Sequence, residues 1–162
     1  MKGDGGDASI YKCGAAAVEI QAENEINGTM YVNEGVLRIA NDKGITNSVC
    51  IAGGTLEIVS NMTVTAGTLS LSGRALPTVA SGGKIVLQPT ASLEFESLGE
   101  FAEGARLVIE GDLSDSVLKL PALDALRLSV IRVRAGEELK RVRQDDEGRL
   151  HLYEPALRVI VR

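Results

Sequence analysis

The sequence predicts an all-β chain: a single-stranded parallel β-helix (β-solenoid) with a short capping segment at the C-terminus. Three observations carry that expectation. A glycine-led phrase recurs along the middle of the chain, helical periodicity is missing from the same stretch, and equivalent leucines return at a solenoid-like interval. The phrase is clearest in Gly54-Thr55-Leu56-Glu57-Ile58 and Gly67-Thr68-Leu69-Ser70-Leu71, which start 13 residues apart.

Taken in order, residues 1–25 read as an N-terminal lead and possible first coil. Residues 26–112 read as the coils. Their strands begin with Gly28-Thr29-Met30-Tyr31-Val32 and Gly35-Val36-Leu37-Arg38-Ile39, and continue through the two phrases above. Gly83-Lys84-Ile85-Val86-Leu87, Ala91-Ser92-Leu93-Glu94-Phe95 and Gly104-Ala105-Arg106-Leu107-Val108-Ile109 complete the set. Each is a turn residue followed by alternating apolar and polar positions, the period of a half-buried strand. No window of a dozen residues there keeps an i, i+3, i+4, i+7 apolar stripe without a Gly or Pro.

Spacing then selects the architecture. Leucines at 37, 56, 87, 107 and 128 give steps of 19, 31, 20 and 21. Three of the steps fit a coil of about 20 residues, and stacked coils share an aliphatic core that no single coil could bury. The 31-residue step holds the Leu76-Pro77 interruption and predicts a longer loop. Residues 113–162 form the expected cap. Residues 115–126 have a helical tint broken by Pro121, residues 127–134 alternate as a strand, and residues 137–143 suit one helical turn or an exposed strand. Residues 149–153 and 157–162 alternate again, as paired closing strands.

Composition narrows the function classes. Of 162 residues 44% are hydrophobic but 3% aromatic with no Trp, so the core must be aliphatic. The apolar runs are too short to span a bilayer. A net charge of −5 argues against nucleic acid and anionic membranes as partners. The N-terminus has no apolar stretch of signal-peptide length, so the chain is expected either to stay in the cytoplasm or to be a fragment of a longer exported one.

Candidate chemistry is sparse. Gly3-Asp4-Gly5-Gly6-Asp7-Ala8-Ser9-Ile10 has the look of a calcium nonapeptide, but it occurs once and Ile10 falls one place late. Asp145-Asp146-Glu147 is the densest acidic cluster, yet neighbours on a strand point to opposite faces and Gly148 follows, which predicts a solvated turn. His151, the one histidine, alternates with Leu150 and Leu152 and is expected on a solvent face, with no second His to build a zinc site. Cys13 and Cys50 could form one disulfide but fit small buried hydrophobes as well. Outward strand positions include Arg38, Glu57, Lys84, Glu94, Arg106 and Glu110, with Glu94 and Arg106 expected on adjacent rungs. Tyr11, Tyr31 and Tyr153 offer few platforms for sugar stacking, and Asn27-Gly28-Thr29 and Asn61-Met62-Thr63 match glycosylation sequons. Catalytic residues, cofactor-binding residues and metal ligands are all expected to be none.

Ala52-Gly53-Gly54-Thr55-Leu56-Glu57-Ile58 and Val64-Thr65-Ala66-Gly67-Thr68-Leu69-Ser70-Leu71 resemble the autotransporter-associated β-strand repeat. The tail through Leu128-Ser129-Val130-Ile131 and Val159-Ile160-Val161 is similar to the final strands of such passengers. The resemblance implies a right-handed parallel β-helix passenger, on the bacterial surface or secreted. Its role would be scaffold or adhesive and non-enzymatic, with an extracellular glycan or host protein as partner. A cytoplasmic β-solenoid scaffold that self-associates end to end is the alternative, and a polysaccharide lyase or hydrolase a third.

Overall fold

A computed structural model describes residues 8–45, 47–71 and 83–153. The strands are β1 (Ile10–Lys12), β2 (Ala17–Ile20), β3 (Met30–Val32), β4 (Val36–Ile39), β5 (Val49–Ile51), β6 (Thr55–Ile58), β7 (Thr63–Leu71), β8 (Gly83–Leu87), β9 (Ser92–Phe101), β10 (Leu107–Glu110) and β11 (Val117–Lys119). A short helix α1 (Ala125–Val130) then leads to β12 (Ile131–Ala135), β13 (Glu138–Gln144) and β14 (Leu150–Leu152).

The expected single-stranded β-helix is corrected by the sheet topology. Among the described residues the strands divide between two sheets, and neither closes on itself. One sheet is six-stranded and parallel, in the order β1-β3-β5-β7-β9-β11. The other is eight-stranded and mixed, in the order β14-β13-β12-β10-β8-β6-β4-β2, with β13 antiparallel to both of its neighbours, β12 and β14. The physical reason lies in what the repeated phrase encodes. Alternation specifies which side of a strand is buried, and it reads the same in either sheet. The phrases at Gly54 and Gly67 therefore mark strands of different sheets, β6 and β7.

The leucine spacing is corrected with it. Leu37 pairs with Leu56, Leu56 with Ile85, Ile85 with Ile109, and Ile109 with Val133, giving steps of 19, 29, 24 and 24. Leu87 pairs with Ile58 instead, and Leu107 with Gly83. The expected Leu76-Pro77 loop lies outside the described residues.

These rows make the core. Leu37, Leu56, Ile85, Ile109 and Val133 of the mixed sheet are buried together with Val32, Ile51, Leu71, Leu93 and Leu118 of the parallel one. Like stacks on like at the parallel-strand spacing of about 4.8 Å. Gly83 lets the two layers meet, since a Cβ there would lie 2.2 Å from Ile51 Cγ2 of the facing sheet. Short turns join the layers. At one of them Gly35, with φ of +64°, sits where a Cβ would come within 2.4 Å of the Gly14 carbonyl oxygen. Lys12 is 4% exposed and locks the same turns together, its Nζ donating to the carbonyls of Cys13, Gly14 and Glu34 at 3.1, 2.6 and 3.0 Å. Removing a charge from water without acceptors would be prohibitive; three carbonyls meet that need.

The C-terminal part differs from expectation at one element. Residues 127–130, read as strand, belong to α1. The Asp124 carboxylate accepts from the Arg127 amide at 2.7 Å, an N-cap that starts the turn before the strand begins at Ile131. Residues 138–144 are strand rather than a helical turn. Gly136, at φ of +64°, reverses the chain between β12 and β13. Val142 and Leu150 are buried in the shared core, and Arg149 bridges back to Lys119 of the parallel sheet. Gln144 Nε2 ties this end shut by donating to the carbonyls of Leu120, Pro121 and Gly148 at 2.8, 3.1 and 3.1 Å. Among the described residues no helix is long and apolar enough to cross a membrane.

Candidate functional site

Parallel sheets are usually covered on both faces. In this chain the outward rows of the mixed sheet are half-exposed and carry charge. Glu19, Arg38 and Glu57 fall in one register row. Arg38 donates to Glu57 at 2.9 Å and approaches Glu19 at 3.5 Å, and the hydrogen bond with Glu57 raises its already high pKa. Gln88 Nε2 extends the row by donating to Glu57 at 2.5 Å. Further along, Glu110 receives Lys84 at 2.9 Å and Arg134 at 2.7 Å. Burial pushes the Glu110 carboxyl up, but the hydrogen bonds from Lys84 and Arg134 outweigh it and hold the group below the usual carboxylate range.

Glu94 and Arg106 do not meet. Glu94 lies on β9 of the parallel sheet and pairs with Lys119 at 2.9 Å, while Arg106 stands just before β10 of the other sheet. The division into two sheets separates what a single coil would have stacked.

His151 is on a strand as expected, with Asp145 2.8 Å from its Nε2. That hydrogen bond keeps Asp145 below the usual range against the opposing effect of burial, and the amides of Arg149 and Glu147 add to it. Asp145 thus organises a turn. Glu147 pairs with Arg149 at 2.8 Å instead of converging with Asp145. Among the described residues no three His, Cys, Asp or Glu side chains are grouped to hold a metal ion. Most of the Gly3 to Ile10 motif lies outside the described residues.

Cys13 and Cys50 are both free thiols. They sit on different strands' surroundings, Cys13 exposed in the turn after β1 and Cys50 half-buried on β5. Burial, then the charge of Glu100, pushes the Cys50 thiol up. Cys50 faces outward beside Tyr31, whose ring stacks on Tyr11 with centroids 4.7 Å apart and planes 4° from parallel. Tyr31, Cys50, Ser70 and Glu100 line an open groove of about 420 Å³. A larger open groove, about 780 Å³, runs between the Gly111 to Ser114 turn and the strand ends carrying Arg134, Arg143 and His151.

Sequence reasoning passed over Lys12 and the arginines of β12 and β13. The alternation of Arg132-Val133-Arg134 and Arg141-Val142-Arg143 was the available signal for the latter. Compared with known proteins, the chain matches no family model, no curated protein and no solved structure.

Proposed function

We propose that this chain is a non-enzymatic binding module with a scaffold or adhesive role, which holds its ligand along a sheet face. The observation that carries the reading is the register of the outward rows. Glu19, Arg38 and Glu57 follow one another on β2, β4 and β6, and the row passes Val86 on β8 and resumes with Glu110 on β10. Lys84 on β8 and Arg132 on β12 stand in the neighbouring outward row, the strands being spaced at about 4.8 Å. Such a surface suits an extended partner, a glycan or the face of another protein. The phrase resemblance supports a bacterial surface or secreted setting for it.

The test is to probe the purified chain against arrayed extracellular glycans and matrix proteins while assaying the same polysaccharides for released fragments. Retention without fragments supports the reading, and fragment release overturns it. Protease shaving of intact cells tests the setting, because a surface protein is lost and an internal one is spared.

A second reading has its own observation. Tyr11 on β1 and Val18 on β2 are 63% and 48% exposed at the edges of the two sheets. Among the described residues no strand covers these edges, and an open edge can template a further strand, so end-to-end self-association is the alternative. Concentration-dependent filaments in sedimentation would establish it.

A further inference from the structure

We propose that the outward face of β12, β13 and β14 is a binding site for an acidic polysaccharide, one that carries carboxylate or sulfate groups along its sugar chain. The proposal rests on the binding-module reading and names its ligand. Register builds the site. Arg132 stands directly opposite Arg141, and Arg143 opposite His151. The Tyr153 amide donates to the Arg141 carbonyl at 2.9 Å, which extends the row from Arg132 through Arg141 to Tyr153. Ile131, Val133 and Val142 are buried on the inner side of these strands, so alternation puts Arg132, Arg134, Arg141 and Arg143 on the outer side. Lys84 joins them across β10, where Val108 lies between it and Arg132.

The charge is lopsided. On the outward positions of β8, β10, β12 and β13 the cations are Lys84, Arg132, Arg134, Arg141 and Arg143, and the carboxylate is Glu110. Glu110 takes Lys84 and Arg134. Among the described residues Arg132, Arg141 and Arg143 form no ion pair; Arg132 Nη1 donates only to the carbonyls of Ser129 and Ile131, each at 2.7 Å. Two neighbouring acids make their hydrogen bonds elsewhere, Asp112 with the hydroxyl and amide of Ser114 and Asp145 with His151. Like charges directly opposite on an antiparallel pair destabilise the free sheet. Among the described residues, a chain of net charge −5 thus carries three arginines without an ion pair on one face, at a cost that an anionic ligand would repay.

The chemistry selects a sugar polymer. Guanidinium forks take flat or tetrahedral oxyanions with paired hydrogen bonds. Neighbouring strands are about 4.8 Å apart, comparable with the length of one pyranose unit, so adjacent arginines can meet anions on successive sugars. Tyr153, 46% exposed, ends the row with an amphipathic ring whose face can pack on a sugar and whose hydroxyl can hydrogen-bond. The 780 Å³ groove, lined by Arg134, Arg143 and His151 and on its other wall by Asp112, opens at the strand ends beside this row. Double-stranded DNA, with a charge every 1.7 Å or so, calls for a wider basic footprint than five cations on an acidic chain.

The experiment titrates the full chain at low salt with dextran sulfate, polygalacturonate, neutral dextran and double-stranded DNA. Binding is expected to one or both acidic polysaccharides, and which one separates sulfate from carboxylate. The R141A/R143A variant should lose at least about tenfold in affinity, and Tyr153→Ala should weaken binding. Glu110→Gln should tighten it, because it releases Lys84 and Arg134. R141A/R143A should itself melt no lower than the parent, since it relieves the opposition of Arg141 to Arg132; weakened binding then cannot be unfolding. Equal binding of neutral dextran, DNA as strong as the glycans, or unchanged affinity in R141A/R143A would overturn the site while leaving the binding-module reading in place. Cleavage of the polysaccharide would overturn that reading itself.

Discussion

Leu56→Ala is the sharpest probe of how the two sheets share one core. Leu56 is 0% exposed and lies in register between Leu37 and Ile85. Truncation removes three carbons, worth about 0.8 kcal/mol each in lost burial, or about 2.4 kcal/mol in all. A residual cavity adds to this, because parallel neighbours held by backbone ladders can collapse only partly, and the expected loss is about 3–4 kcal/mol. Thr55, one residue earlier, points outward, so Thr55→Ala should change stability by no more than about 0.5 kcal/mol. Urea denaturation reads the difference. With a slope of about 2 kcal/mol/M, Leu56→Ala should lower the midpoint by about 1.5–2 M while the slope stays constant. Equal shifts for the two variants would refute the inward and outward assignment, and with it the register.

Other outcomes follow from single features. Gly148→Ala should cost about 2–3 kcal/mol, because φ of +84° combines with a Cβ position 2.4 Å from the Leu120 carbonyl oxygen. Gly104→Ala, at φ of +76° with open space around it, should cost about 1 kcal/mol, and paired thermal melts check both. Asp124→Ala should lose about 1 kcal/mol through the N-cap of α1, measured by urea denaturation. Glu110 has a folded pKa below its unfolded value, so its contribution is complete above the ordinary carboxylate range and fades as pH falls through the folded pKa. The parent should therefore lose more stability than Glu110→Gln between neutral and acid pH, as melting curves across that window will show. Iodoacetamide at mildly alkaline pH should modify exposed Cys13 well before Cys50, whose thiol is raised by burial, and peptide mass mapping reads the order.

What was legible in the sequence was the facing of residues. Leu56, Glu57 and Ile58 alternate because one side of β6 is buried, and a period of two reports that directly. The assignment of strands to two sheets was not legible, since Gly54-Thr55-Leu56 and Gly67-Thr68-Leu69 carry the same local pattern into different sheets. The helix α1 was hidden for another reason. Six residues with Leu126, Leu128 and Val130 at alternate positions fit a strand equally well, and the deciding contact is the Asp124 cap. Lys12 had no signal at all, because its acceptors are carbonyls, one of them 22 positions away. The arginines of β12 and β13 could be placed on one side from alternation, but only the pairing register sets Arg132 against Arg141.

The most direct test of the account maps where the ligand sits. Amide chemical shifts of the labelled full chain, recorded through a titration with short dextran sulfate or polygalacturonate oligomers, report each residue in turn. The account predicts shifts concentrated at Arg132, Arg134, Arg141, Arg143, His151 and Tyr153. Shifts centred on Tyr31, Cys50 and Glu100, or on the open edge at Tyr11 and Val18, would contradict it.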